Sequence, residues 1–406
     1  MAVGLSAISS LLPVNGIRVG ACSAGIYKNH RPDLAIIACD PGSNSVAVFT
    51  RNAFCAAPVI IAREHILKSS PSYCLINAGN ANAGMGRKGY DDAMKTCQQL
   101  SKLTGCPVEA VLPFSTGVIG QPLPVDNICH ALPGLMGSLS ETAWNDVAKA
   151  IMTTDTLPKG ISRQISVGDQ NITITGIAKG SGMISPDMAT MLAFIATDAK
   201  IERHILNAIL LESVEQSFHR ISVDGDTSTN DACVLIATGK STFPRIDSFD
   251  SELAAQFRKA LMEVCIYLAQ AIVRDGEGAT KFVTVTVRGG KTHEECRNVA
   301  QAIAHSPLIK TALFASDPNW GRILAAIGRS GIDNLDVSLI MISIGDVCIV
   351  ENGGRSAGYT ESQGKSVMDK DEITLFVDLN RGNATVSFWT CDLSYEYVRI
   401  NAEYRS

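Results

Sequence analysis

Much of the chemistry open to a chain of 406 residues is excluded by what this one lacks. It has twelve cysteines and seven histidines, yet no CxxC, HxxH or HExxH, and its closest cysteines, Cys97 and Cys106, lie nine positions apart. A metal site needs ligands at short, regular spacing, so none is expected. Thr238-Gly239-Lys240-Ser241 ends like a phosphate loop, but Val234 stands where the loop needs its first glycine. The glycine-rich stretch GNANAGMGRKG (79–89) reads as a close-packed turn. Charged residues make up only 18%, the net charge is -5, and no basic stripe suggests a nucleic-acid partner. No apolar run approaches the ~20 residues of a membrane span. The opening MAVGLSAISSLLPVNG lacks the basic start of an export signal. A cytoplasmic chain without membrane partner is therefore expected. Its cysteines, set in apolar runs such as AIIACD, DACVLIA and EVCIYLA, read as small core residues in a reducing compartment. The glycosylation patterns at Asn171 and Asn383 are then chance matches.

What the chain does contain is apolar residues, 46% of the total, enough for a sizeable core. The first 60 residues read as strands with tight turns, DLAIIAC and SVAVFTR flanking the turn Pro41-Gly42-Ser43-Asn44. Residues 91–103 put Met94, Cys97 and Leu100 on one helical face. VEAVLPFSTGVIG reads as a strand running into a glycine loop, and ITITGIA as a strand leading into KGSGMISPDMA. A helix is expected near 199–218, with Ile201, Ile205, Ile209 and Phe218 buried. A longer one over about 250–274 carries Leu253, Phe257, Leu261, Val264, Leu268 and Ile272 at three- and four-residue steps and stops at Asp275-Gly276. KFVTVTV, VSLIMIS and EITLFVDL complete an alternation of strands and helices. The class is α/β or α+β, with no repeat and no linker dividing independent domains.

One segment is unusual. In KGSGMISPDMATMLAFIATDA (179–199), a glycine- and serine-rich loop and a proline lead to Thr190, a polar residue opening a dense apolar strand. A strand-opening threonine accounts for this without chemistry. The alternative is a nucleophile exposed at the start of a new chain. A threonine hydroxyl needs a base. Were the Ala189–Thr190 bond cut, Thr190 would gain an α-amine of pKa ~8 able to take the hydroxyl proton. The same hydroxyl could make the cut, attacking the carbonyl of Ala189 and passing through an ester.

Residues 179–199 closely resemble the cleavage segment of the ornithine acetyltransferase, or glutamate N-acetyltransferase, family of arginine biosynthesis. Further matches run nearly end to end and in the family's order: VNGIRVGACSAGIYKNHRPDLA (14–35), NAFCAAPVIIAREHI (52–66), LINAGNANAGMG (75–86), PFSTGVIG (113–120), TTDTLPK (153–159), SVDGDTSTNDA (222–232), GEGATKFV (276–283), SDPNWGRI (316–323) and the terminal NAEYRS.

The resemblance implies a DmpA-like sandwich, one fold built from two self-cleaved chains, 1–189 and 190–406, assembled as two of each. It makes Thr190 both the cleaving residue and the acetyl acceptor. It assigns Thr116 and Gly117 to an oxyanion hole, where a hydroxyl and a backbone N–H meet developing charge. Substrate-binding positions fall on Thr153, Lys179, Thr190, Glu277, Asn401 and Ser406. Lys179 would take the α-carboxylate of the acetylated amino acid; its alternative is a surface lysine. Glu277, in a Gly-Glu-Gly turn, would meet a substrate charge or assist proton transfer; its alternative is a solvated carboxylate. Asn401 and Ser406 serve only if the C-terminal tail folds back. The implied substrates are N-acetylornithine and glutamate, with no metal or tightly held cofactor. Acetyl-CoA is a further candidate donor, with Arg87, Lys88 and Arg322 as candidate entrance charges. The rival activity is an amidohydrolase or aminopeptidase using the same N-terminal nucleophile with water as acceptor.

Overall fold

The computed structural model describes residues 2–167, 170–185 and 191–403. Ala189, Thr190 and Ser406 lie outside them. Two sheets stack face to face. One has four strands, in the order Ile17–Cys22, Leu34–Cys39, Tyr73–Asn80 and Val111–Val118. The other has five, in the order Asn44–Phe49, Ala232–Ala237, Leu192–Thr197, Gln170–Lys179 and Lys159–Val167. Ile37, Ile76 and Phe114 of the first interdigitate with Ile177, Phe194 and Val234 of the second. The rings of Phe114 and Phe194 meet edge to face at 5.1 Å.

Each sheet is covered on its other face by helices. Leu34 and Ile36 pack against Ala93, Cys97 and Leu100 of the helix Gly86–Thr104. Ala193, Ile195 and Leu235 pack against Leu206, Ile209 and Leu210 of Arg203–Glu215 and against Phe257, Leu261 and Leu268 of Glu252–Arg274. These four layers explain why LAIIAC, LAFIAT and ACVLIA are buried at every position: a strand covered on both faces has no solvent side to alternate with. They also explain why the turn at 41–44 makes no hairpin. The strand before it joins one sheet and the strand after it joins the other.

A second unit follows residue 281. A seven-stranded sheet, centred on Glu372–Asp378 with Phe282–Gly290 beside it and closed at one edge by Ile221–Ser222, carries helices His293–Ala304, Pro307–Phe314 and Trp320–Gly328 over its apolar face. Glu372–Asp378 alternates buried and exposed, as a strand with one wet face should. The expected helices stand, with 199–218 shortened to Arg203–Glu215 and a separate 3₁₀ turn at Phe218–Arg220. VSLIMIS is only partly a strand: Val337–Leu339 is a 3₁₀ turn and pairing begins at Met341. Among the described residues no helix is long and apolar enough to cross a membrane, and no His, Cys, Asp and Glu cluster could hold a metal. Burial pushes the Cys97 and Cys233 thiols up to about 12, in keeping with inert core residues.

Candidate active site

A cleft of about 260 Å³ opens where the two stacked sheets and the C-terminal helix meet. It is lined by Thr116, Gly117, Thr153, Lys179, Glu277 and Asn401, together with Thr154, Gly182 and Ser228–Asn230. Every described residue assigned to the site from the sequence is therefore in one place.

Thr116 and Gly117 end the strand Val111–Val118, beside Ala78 and Gly79 of the parallel strand Tyr73–Asn80. The backbones touch there. A Cβ on Gly117, whose φ is +133°, would lie 2.3 Å from the carbonyl carbon of Gly79. Glycine is required at this position, and it leaves the backbone bare at the cleft edge.

Lys179 is the last residue of its strand and is 2% exposed, so it is not the surface lysine of the bland alternative. Its ammonium donates to the Thr116 hydroxyl at 3.1 Å and to the Thr153 hydroxyl at 3.0 Å. A hydroxyl that accepts from an ammonium keeps its own proton free to donate elsewhere, and the cation strengthens that donation. Burial pulls the Lys179 pKa below its ordinary value, with Lys159 adding repulsion, while the Asp155, Asp231 and Glu277 carboxyls oppose the shift. Lys179 also pairs in register with Leu192, two residues beyond Thr190. The Met191 N–H donates to Asp231 at 2.9 Å, which fixes the chain immediately after Thr190 to the neighbouring strand.

Glu277 is buried as well, against the reading of a solvated turn. Its N–H donates to the Ser181 carbonyl at 2.8 Å, and its carboxylate lies over Gly182. A Cβ on Gly182 would come 2.4 Å from the Glu277 carboxyl carbon. The cover comes from the tail, which does fold back as far as Asn401. The helix Tyr395–Ala402 packs so closely on Gly278 that a Cβ there would meet the Tyr397 nitrogen at 2.5 Å. Asn401 donates to Glu277 at 2.8 Å, and the Tyr397 hydroxyl donates to Asp224 at 3.3 Å.

Sequence reasoning missed Asn230, whose amide spans the Ala81 and Ser115 carbonyls at 2.7 and 2.9 Å and ties the two sheets together under the cleft. It lies in the quoted SVDGDTSTNDA segment, and the run of six polar residues, Asp226–Asp231, before an apolar strand was the available signal. Arg87 and Lys88, candidate entrance charges, are paired instead with Asp91 and Asp92 of their own helix, and Arg322 donates to the Leu308 carbonyl. None of the three lines the cleft.

The model of the ArgJ family matches residues 18–406. Over 406 residues, the whole of both chains in each case, this chain is 55% identical to the arginine biosynthesis bifunctional protein ArgJ of Pseudomonas fluorescens and 54% identical to that of Pseudomonas syringae pv. tomato. Among solved structures it is similar to the arginine biosynthesis bifunctional protein ArgJ from Bacillus halodurans, with a TM-score of 0.50 and 40% identity over 52% of this chain and 97% of that one.

Proposed function

The chain belongs to the ArgJ family, and from that premise we infer that it is an ornithine acetyltransferase of arginine biosynthesis, moving acetyl from N-acetylornithine to glutamate through an ester on Thr190. The observation that carries this reading is Lys179: a buried cation held between Thr116 and Thr153 on the cleft floor, in register with the strand that Thr190 introduces. The cation suits the α-carboxylate common to both substrates. Glu277, capped by Asn401, offers the opposite charge across the same cleft, suited to the ornithine ammonium.

The chemistry balances without a cofactor. Thr190 Oγ first attacks the carbonyl carbon of Ala189, and the resulting ester hydrolyses to leave chains of 189 and 217 residues. The solved relative, whose chain is nearly all matched by about half of this one, has the size of one such piece. In transfer, the freed α-amine of Thr190 takes the hydroxyl proton as Oγ attacks the acetyl carbonyl. The Thr116 hydroxyl and the Gly117 N–H donate to the developing oxyanion. The C–N bond breaks, ornithine leaves with the proton, and the acetyl group stays on Oγ. The amine of glutamate then attacks that ester, giving N-acetylglutamate and restoring the threonine. Acetyl-CoA can acylate the same oxygen, and the bifunctional designation of the relatives supports it as a second donor. Two copies of each chain form the assembly, in the cytoplasm.

The test is donor and acceptor dependence. Ornithine release from N-acetylornithine should need glutamate for turnover and yield one N-acetylglutamate per ornithine. Steady release of free acetate without glutamate would instead mark the hydrolase. With acetyl-CoA and glutamate alone, thiol release above a Thr190→Ala control is expected.

A further inference from the structure

Behind the cleft, and outside its lining, lies a closed ionic cluster. Lys159 sits between two carboxylates, 2.6 Å from Asp155 and 2.7 Å from Asp275, and none of the three side chains is more than 1% exposed. Taking three charges out of water is costly, and their mutual attraction rarely does more than offset that cost. The cluster therefore calls for an explanation beyond stability, and its remaining hydrogen bonds supply one. Asp155 accepts the N–H of Thr153 at 2.9 Å with one oxygen and the N–H of Gly180 at 2.7 Å with the other. Thr153 is a hydroxyl partner of Lys179, and Gly180 follows Lys179 in the chain. Asp275 accepts the N–H and hydroxyl of Thr156 and ends the helix Glu252–Arg274, two residues before Glu277. The three elements that carry Thr153, Lys179 and Glu277 thus converge on one buried charge cluster.

We propose that Asp155, clamped by Lys159 and Asp275, is a positioning residue that sets the geometry and charge of Lys179 for the substrate carboxylate. This rests on the reading of the cleft as the acetyl-amino-acid site. Asp155 acts twice: its two oxygens fix the backbone on either side of Lys179, and its negative charge favours the protonated ammonium. The other charged groups facing Lys179 are Lys159, which disfavours that proton, and Glu277 and Asp231, which favour it; the Asp231 carboxyl is itself pushed well up by burial. Burial works against the Asp155 charge too, but Lys159 and Lys179 outweigh it and hold the carboxyl well below its usual range. The charged form of Asp155 is thus the favoured one in the folded enzyme.

The test uses the whole, self-processed enzyme and two variants. Asp155→Asn keeps the shape and removes the charge. Asp155→Asn/Lys159→Met removes one anion with one cation and leaves Asp275 held by the N–H and hydroxyl of Thr156 and the N–H of Leu157. A misplaced binding group typically costs on the order of 10²-fold, and loss of a contact made equally to substrate and transition state appears in KM. Both variants should therefore raise KM for N-acetylornithine and for glutamate by about 10–100-fold, with a much smaller change in kcat. In Asp155→Asn the alkaline rise of KM should also begin at lower pH than in wild type. Unchanged KM values with an unmoved alkaline limb would overturn the proposal. So would kcat and KM worsening only in step with a lowered Tm, or failure of both variants to fold, since the cluster would then serve the fold alone. Failure of the underlying reading is separable: it would appear in the wild-type enzyme, as no acetyl transfer and no acetylated Thr190.

Discussion

Lys159 and Lys179 are buried on adjacent antiparallel strands, with Lys159 opposite the neighbour of Lys179, yet their surroundings differ in kind. Lys159 ends in two carboxylates. Burial alone would lower its pKa, but Asp155 and Asp275 more than compensate and raise it. Among the described residues Lys179 ends in two hydroxyls, and burial wins. The difference separates a charge used up inside the protein from one still short of a counter-ion. A buried ammonium whose hydrogen-bond partners among the described residues are hydroxyls, on the floor of an open cleft, is suited to an anion.

The largest effect expected lies just beyond both lysines. Thr190→Ala should leave the chain uncut and lower transfer by about 10⁴-fold or more, read by denaturing electrophoresis and steady-state rates. Thr190→Ser should retain part of both activities.

The comparison itself is broken most directly by replacing each lysine with methionine. Lys159→Met strands two buried carboxylates and should cost about 3–5 kcal/mol in denaturant unfolding. Lys179→Met removes a cation that the fold does not fully neutralise and should cost far less. Equal losses would show that the two pockets do not differ as described.

Thr116→Ala comes next. It should lower kcat by roughly 10–10³-fold with a smaller change in KM, because its donation meets charge that appears only in the transition state. Lys179→Ala should raise KM for N-acetylornithine and glutamate alike, by about tenfold or more. An effect on one substrate alone would refute a shared carboxylate site.

The smallest effect is in pH. The folded-state pKa of Lys179 lies below its unfolded value, so between the two the unfolded chain binds more protons and Lys179 contributes a rise in stability with pH. Lys159 works in the opposite sense: its folded pKa is raised, so its contribution is present below the ordinary lysine range and lost only as pH climbs through the raised value. The alkaline stability profile of Lys179→Met should therefore fall more steeply than that of wild type.

How far this was legible in the sequence varied with range. DLAIIAC and TMLAFIATDA announced strands because an apolar run bounded by turn residues has few other uses, and EITLFVDL because it alternates. The helix Ala57–Lys68 went unread, since its apolar and polar residues do not segregate cleanly and Pro58 sits in its first turn, where proline is tolerated. The site residues were found by resemblance, and the cleft unites all of them that the described residues include. What no local pattern contained was the burial of the charged side chains at the cleft. Nothing near Glu277 says that Asn401 covers it from 124 positions away, and TTDTLPK does not reveal that its Lys159 meets Asp275. Such pairs are made by the stacking of sheets, and a single sequence carries no mark of them.

The account turns on Thr190 as nucleophile and acetyl carrier. The decisive measurement is the intact mass of the denatured enzyme before and after incubation with N-acetylornithine alone. Two fragments are expected, the second beginning Thr-Met-Leu-Ala-Phe. That fragment should become heavier by one acetyl group, which glutamate then removes. A single uncut chain with full transfer activity, or an acetyl group on any residue other than Thr190, would contradict it.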